Sequence, residues 1–274
     1  MSYKNFYTFP KSNQEGGLRV DSNDDQKLIQ KKPLISVITV TLNSEKYLEE
    51  SILSLHQQKS QNYEHLIIDG GSTDKTLNII KKYQNKINYW CSAKDLGIYD
   101  AFNKGMMLSN GDYVCFLNSD DTLSTDALDI IGNYIKNYPQ KDFIFGSVKK
   151  HWGILHGYKP YKINWSWGFY SSHSTGFFIK NDSAKKVGLY NLKYKYSSDY
   201  DYFFRMIKKL KLKGIATKKN EITGIFRRGG FSSTISFVDH FFEEIKIRID
   251  NGQNKLLILI ILIYKFVKNL KKIK

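Results

Sequence analysis

The stretch Gly111–Asp121, GDYVCFLNSDD, limits the fold more than any other in the chain. Five consecutive apolar residues, Tyr113–Leu117, follow a polar Gly-Asp step and stop abruptly at Asn118-Ser119-Asp120-Asp121. A run this short between turn formers fits a buried strand of a parallel sheet and is too short for a helix that packs by itself. Open α/β sheets bind ligands beyond the carboxyl ends of their strands, where this run delivers two adjacent carboxylates. Carboxylates so close repel each other unless they share a cation or hydrogen-bond donors. Their hard oxygens suit Mg²⁺ or Mn²⁺, ions that usually complete their coordination with substrate phosphates. A plain strand-ending turn is the competing reading, because Asn, Ser and Asp all favour turns.

The neighbouring segments repeat a strand-then-helix rhythm. Leu34–Leu42 is a β-branched run, followed by Asn43-Ser44 as turn and cap and by Tyr47, Leu48, Ser51, Ile52 and Leu55 on one helical face. Tyr63–Ile68 reads as a second strand leading into DGGSTD at 69–74, with Ser72 or Thr73 capping a helix to about Tyr83. Ile87–Cys91 is a short third strand, and a polar connection with a short helix spans Asp95–Gly105. After the opening strand come a helix from about Thr125 to Asn137 and a strand at Phe143–Phe145. This alternation predicts an α/β fold with a doubly wound, mostly parallel sheet flanked by helices over residues 34–147. Beyond an aromatic and basic stretch at 149–170, a strand near 176–180, helices near 183–187 and 198–210 and a strand at 222–226 are expected to finish the same domain.

Several classes are excluded. No GxGxxG follows the first strand and no GxxxxGK[ST] occurs, so neither dinucleotide nor P-loop chemistry applies. Cys91 and Cys115 both sit in apolar runs and look like small core residues of a reducing compartment. Met1–Lys32 is polar, without the apolar centre of a secretory signal, so the cytoplasm is the expected location. A formal net charge of +16 calls for an anionic partner. Nucleic acid is the rival candidate, but the charge is spread over lysines, no nucleic-acid-binding motif is present, and acidic strand ends repel phosphate. Part of the charge flanks LLILIILIY at 256–264, where six lysines and no acid follow Asp250. Nine helical residues reach only ~14 Å, so the segment is expected to lie at an anionic membrane surface rather than cross it. The alternative is a terminal helix docked on the domain or on a homodimer partner.

In order along the chain, SVITVTLN (36–43), HLIIDGGSTDKT (65–76), DLGIYDAFNKG (95–105), NGDYVCFLNSDD (110–121) and SDYDYFFR (198–205) resemble the family 2 glycosyltransferases, which have the nucleotide-sugar-binding GT-A fold. The likeness covers about residues 34–230 and looks closest to bacterial members that build lipopolysaccharide, capsule or other surface polysaccharides. It implies inverting transfer of a sugar from a UDP-, GDP- or dTDP-linked donor to a glycan or lipid-linked acceptor, with no nucleic-acid partner. The implied domains are a flexible leader (1–32), a GT-A domain (33–235) divided into a nucleotide-sugar half (33–147) and an acceptor half (148–235), and a basic and apolar helical tail (236–274). The likeness puts Thr41 and Asp69 at the nucleotide base, Asn43 beside them, and Asp95 in the loop over nucleotide and sugar. Asp120 and Asp121 match the family's acidic metal-binding element, Asp121 being the first choice as Mn or Mg ligand. Three departures are visible: Gly70 and Asn118 stand where acids are common, and Phe102 where Arg is common, leaving Lys104 to supply positive charge.

Displacement at an anomeric carbon needs a base for the acceptor hydroxyl and a cation for charge developing on the leaving diphosphate. The resemblance makes Asp199 that base. Ser198 and Asp201 also have the spacing of a capping box, a competing role for this segment. His173 matches a site-lining position, though a lone histidine is more often structural. Arg228, with Arg227, is expected to clamp the diphosphate, a solvated basic turn being the alternative. Trp165 and Trp167 could stack on a sugar, with aromatic core packing as the plainer reading.

Overall fold

The computed structural model describes residues 14–21, 34–165, 170, 174–227 and 236–268. In chain order its elements are β1 (Gln14–Gly16), α1 (Leu18–Asp21), β2 (Ile35–Thr41), α2 (Leu48–His56), β3 (Tyr63–Asp69), α3 (Thr76–Lys82), β4 (Tyr89–Ser92), α4 (Ile98–Leu108), β5 (Tyr113–Phe116), β6 (Thr122–Leu123), α5 (Ala127–Asn137), β7 (Phe143–Phe145), β8 (Ser147–Lys150), β9 (Gly153–Leu155), β10 (Phe177–Lys180), α6 (Asn181–Val187), α7 (Ser198–Phe204), β11 (Gly214–Ala216), β12 (Ile222–Ile225), α8 (Phe237–Asp250) and α9 (Lys255–Lys268).

Eight strands form one sheet in the order β1-β4-β3-β2-β5-β10-β7-β11, and β6-β12-β8-β9 form a smaller one. The central strands β4, β3, β2 and β5 are mutually parallel. Every residue of β2 and β5 is buried, because helices cover both faces; β5 is wholly apolar, and β2 carries Ser36, Thr39 and Thr41 among its apolar residues. Side chains alternate between the faces. Ile38, Val40, Leu66, Ile68, Val114 and Phe116 join Phe102 and Met106 of α4 on one side. Ile35, Val37, Tyr113 and Cys115 join Leu55 of α2 and Leu128 and Ile131 of α5 on the other.

The second half completes the same sheet, as the sequence implied, but not as another parallel repeat. β10 runs antiparallel between β5 and β7, pairing Phe178 with both Cys115 and Ile144. Other boundaries also differ from expectation. Gln14–Asp21, inside the stretch read as a flexible leader, forms β1 against β4 and then α1. Arg19 there ion-pairs with Glu64, whose carboxylate also accepts from Ser36 Oγ and the Asn110 and Gly111 amides. A buried acid needs that many donors, and Arg19 is a partner no local pattern reveals. Neither Ser72 nor Thr73 caps α3; Asp74 accepts from the Thr76 amide instead (2.9 Å). The expected helix 198–210 ends as an α-helix at Phe204 and continues as a π-helical turn over Arg205–Lys209. Trp165 is 55% exposed, which overturns its reading as a core residue; Trp167 lies outside the described residues.

A histidine pair lies under the sheet. His65 Nε2 meets Thr39 Oγ1 at 3.0 Å, and His65 Nδ1 meets His56 Nε2 at 3.1 Å. Burial, and then the neighbouring His56, hold His65 well below the ordinary imidazole range; burial, and then Lys86, bring His56 down to about 4. Both rings are therefore neutral in the fold. Their contribution is complete above the unfolded value of ~6.5, and below it the unfolded chain takes up protons that the fold refuses. The histidine contribution to stability should then fall between pH ~6.5 and ~4, by up to about 1.4 kcal/mol per pH unit for each ring, against an opposite contribution from buried Asp121. Urea midpoints at pH 7 and pH 5 test this; His65→Gln should flatten the dependence, and equal slopes for both proteins would refute it.

Candidate functional site

The carboxyl ends of β2, β3, β4 and β5 open on one edge of the sheet, and the loops leaving them carry most of the expected site residues. At the β2 end, Thr41 is 5% exposed, and its Oγ1 is a buried oxygen without a partner among the described residues. Asn43 follows with a left-handed φ of 48°, its amide donating to Ser72 Oγ (2.8 Å) and its Oδ1 accepting from the Thr73 amide (2.9 Å). Asn43 thus ties the first loop to the second.

Asp69, expected at a nucleotide base, turns its carboxylate into its own loop. It accepts from the Gly71 and Ser72 amides (3.1 and 2.9 Å), from Ser72 Oγ (2.5 Å) and from Ser92 Oγ (2.6 Å). Four donors hold the acid as the organiser of the DGGS turn. Gly70 has a steric reason for lacking a side chain: a Cβ there would stand 2.6 Å from Asp95 Oδ2. The Asp95 carboxylate therefore occupies the space beside residue 70, while its Oδ1 accepts from the Gly97 amide (3.0 Å). Burial raises Asp95 above the usual carboxylate range, against the pull of Gly97 and Lys104. Lys104 does not present a free charge. Its Nζ pairs with Asp100 Oδ2 at 3.0 Å, both side chains being buried, while Asp100 Oδ1 is left without a partner. Phe102 is a core ring stacked on Phe116 at 4.2 Å, so the position has no polar role.

At the β5 end Asp121 is 1% exposed. Its Oδ2 accepts from Thr175 Oγ1 (3.0 Å) and its Oδ1 from the Arg227 amide (3.1 Å). Burial and the adjacent Asp120 push it up to about 7, and burial also raises Asp120. Arg227 lies across this acidic step: its Nε donates to the Asp120 carbonyl (3.1 Å), its Nη2 pairs with Glu50 (2.5 Å), and its guanidinium lies 4.5 Å from the Tyr47 ring centre. Arg227 itself is thus anchored rather than merely solvated; Arg228 and His173 lie outside the described residues. No group of three or more His, Cys, Asp or Glu is gathered for a metal among the described residues. What they offer is a two-carboxylate element, a partnerless buried Asn118 Oδ1 beside it, and burial that disfavours two bare negative charges. That donor set fits a hard cation whose remaining ligands come from a diphosphate.

Asp199 lies at the start of α7, 6% exposed. The capping-box alternative fails: Ser198 Oγ donates to the Asn191 carbonyl (3.0 Å), and Asp201 is engaged by Arg205 Nε (2.9 Å) and Asn251 Nδ2 (2.7 Å). Asp199 is held by tyrosines, with Tyr99 donating to Oδ1 (3.0 Å) and Tyr170 to Oδ2 (3.5 Å). The Tyr99 hydroxyl also lies 3.1 Å from the Tyr196 carbonyl. Burial and then Asp199 keep both phenols well above their ordinary range, so they stay protonated donors. Tyr99 is four residues beyond Asp95, on the first turn of α4. Its bond to Asp199 therefore joins α7 to the loop that carries Asp95. Sequence reading passed over Tyr99, Tyr170, Thr175 and the Arg227 amide; only the place of Tyr99 inside DLGIYDAFNKG could have drawn attention to it.

Three comparisons bear on this arrangement. A PGL/p-HBAD biosynthesis glycosyltransferase of Mycobacterium bovis is 28% identical over 187 residues, 63% of this chain and 69% of its own length. The solved structure of S. aureus TarS 1-349 in complex with UDP-GlcNAc matches with a TM-score of 0.64 at 21% identity, covering 78% of this chain and 65% of that one. The chain spans 39% of a longer TarS structure. The mannosyltransferase PcManGT from Pyrobaculum calidifontis, in complex with GDP-Man and Mn²⁺, matches with a TM-score of 0.60 at 15% identity, covering 89% of this chain and 72% of that one. These likenesses show a GT-A-like fold. The model of glycosyl transferase family 2 matches residues 36–210, so the chain belongs to that family and is a glycosyltransferase.

Proposed function

We propose that the protein transfers a sugar, with inversion, from a nucleoside-diphosphate donor to a glycan or lipid-linked acceptor in the assembly of a cell-surface polysaccharide. The observation that carries this reading is the bond from Tyr99 to Asp199, which joins a buried acid to the helix that follows the Asp95 loop. The donor binds across the strand ends: partnerless Thr41 Oγ1 faces incoming polar groups, and Asp69 and Asn43 hold the DGGS loop in shape for it. Asp95 borders the nucleotide and sugar, with the Asp100–Lys104 pair behind it. Arg227 meets the diphosphate side; the family resemblance implies the same role for Arg228 and a site-lining role near donor or acceptor for His173, both outside the described residues. Asp121 and Asp120 would hold a divalent cation, Mn²⁺ or Mg²⁺, which when bound offsets charge on the departing diphosphate.

In the transfer, Asp199 takes the proton from the acceptor hydroxyl as that oxygen forms its bond to the anomeric carbon from the face opposite the diphosphate. The bond from the anomeric carbon to the phosphate oxygen breaks, and its electron pair leaves with the nucleoside diphosphate. Tyr99 and Tyr170 keep the Asp199 carboxylate oriented toward that hydroxyl. The UDP-GlcNAc and GDP-Man complexes of the two structural neighbours support the donor class, and the Mn²⁺ of the latter supports the cation. The reading places the protein peripherally at the cytoplasmic face of the inner membrane, where lipid-linked acceptors are exposed; no helix among the described residues is long and apolar enough to cross a membrane.

Thermal unfolding with UDP, GDP and dTDP, each with Mn²⁺ and with chelator, tests the donor site. A ligand at about 100 times its Kd stabilises by ~2.7 kcal/mol. A metal-dependent rise with one diphosphate, lost in Asp121→Ala, is expected. No rise with any diphosphate in folded protein would refute the reading.

A further inference from the structure

The two C-terminal helices form a hairpin with an apolar side already used and another left open. Phe241 and Ile245 of α8 pack on Ile258 and Ile261 of α9. Inside the hairpin, buried Glu244 pairs with Arg248 at 2.7 Å and with Lys265, so α9 is fixed on α8 by an ionic bridge as well as by apolar contact. The alternative of a docked terminal helix thus describes the inner face. The outer face is different: Leu256, Leu259, Ile260, Ile263 and Val267 are 47–67% exposed and recur every three or four residues, giving one stripe along α9. On α8, Phe242 is 62% exposed. A continuous apolar face on a helix whose packing side is already occupied marks a contact surface.

Charge identifies what covers it. After Asp250 the sequence holds six lysines and no acid; among the described residues Lys265 is offset by Glu244. A second copy would bring like charges together along the seam. An anionic lipid surface attracts them and at the same time buries the stripe. With 14 residues, α9 is ~21 Å long, which suits a helix lying in the interface.

The hairpin also grips the segment that leads to the candidate base. Glu243 of α8 accepts from the Lys195 and Tyr196 amides at 2.6 and 2.7 Å, and Asn251 donates to Asp201 at 2.7 Å. We infer that the α8–α9 hairpin is an in-plane docking surface for anionic phospholipid, joined to α7 and the segment leading into it, which carry Asp199. This rests on the acceptor being presented at a membrane. It means that the lipid surface and the base are held in fixed register by one helix.

Flotation of the full chain with phosphatidylcholine vesicles, with and without phosphatidylglycerol, tests the inference. Binding should require phosphatidylglycerol and weaken with salt. It should fall at least about tenfold in the double variant Leu259→Glu, Ile263→Glu, and about fivefold in Lys255→Ala. All three substitutions are at exposed positions, so an unchanged unfolding temperature is expected and is measured alongside. A folded double variant that floats like the parent overturns the inference. So does a parent that ignores vesicles and is a dimer by light scattering, with the double variant monomeric. Nucleoside-diphosphate stabilisation, read on the same samples, separates the two proposals: protein that floats but is not stabilised refutes the donor reading and leaves the docking surface standing.

Discussion

Asp199→Asn is expected to lower sugar transfer by about 10²–10⁴-fold, the usual contribution of a positioned general base. The amide keeps the shape of the carboxylate, and its oxygen can still accept from Tyr99, so the fold should be undisturbed. Nucleoside-diphosphate stabilisation should survive, because the loops at the ends of β2 to β5, where we propose that the donor binds, keep their own hydrogen bonds without Asp199. Release of nucleoside diphosphate in the presence of acceptor measures the loss. Transfer at the parent rate would remove Asp199 from the base role. Tyr99→Phe is the companion variant: it takes one hydrogen-bond donor from the carboxylate and loosens its orientation. The loss of that one hydrogen bond should lower kcat about tenfold while nucleoside-diphosphate stabilisation is kept, whereas a merely structural tyrosine would lower the unfolding temperature and the nucleotide response together.

Arg248→Ala should cost about 3–5 kcal/mol of stability, since it strands a buried acid. Arg248 is fully buried; it donates to Glu244 through Nε and Nη2 (3.1 and 2.7 Å), to the Asn164 carbonyl (2.8 Å) and to Gln253 Oε1 (2.8 Å). Its guanidinium also lies 5.1 Å from the centre of the Tyr200 ring, next to Asp199 in sequence. Denaturant midpoints measure the effect. Arg248→Met with Glu244→Leu should recover most of the loss, because an apolar pair of similar volume carries no desolvation penalty. A loss below about 1 kcal/mol in Arg248→Ala would mean that Lys265 alone satisfies Glu244.

The elements most legible in the sequence were those whose residues declare both burial and ending locally. Leu34–Leu42 and Tyr63–Ile68 are apolar runs closed by turn formers, and they appear as β2 and β3 with boundaries shifted by no more than one residue. The family likeness rested on the loops after such strands, and the matched family model covers the same region. Less legible was anything set by a partner distant in the chain. The antiparallel insertion of β10 is decided by which strand edge Phe177–Lys180 can reach, and the short run FFIK is silent on direction. Gln14–Gly16 becomes a strand only because the edge of β4 offers it hydrogen bonds. The expected capping box failed for a similar reason, since Arg205 and Asn251 bind Asp201 more directly than a cap could.

By itself, the sequence determined the parallel α/β core, the acidic strand ends and the order of the family motifs, because apolar runs, turn residues and spacing are local properties of the chain. Only the tertiary structure decided what each acid faces: Asp69 its own turn, Asp95 the space beside Gly70, Asp121 Thr175 and the Arg227 amide, and Asp199 two tyrosines. The physical reason is that a buried carboxylate takes its properties from the donors and charges packed around it, and those arrive from residues up to 106 positions away.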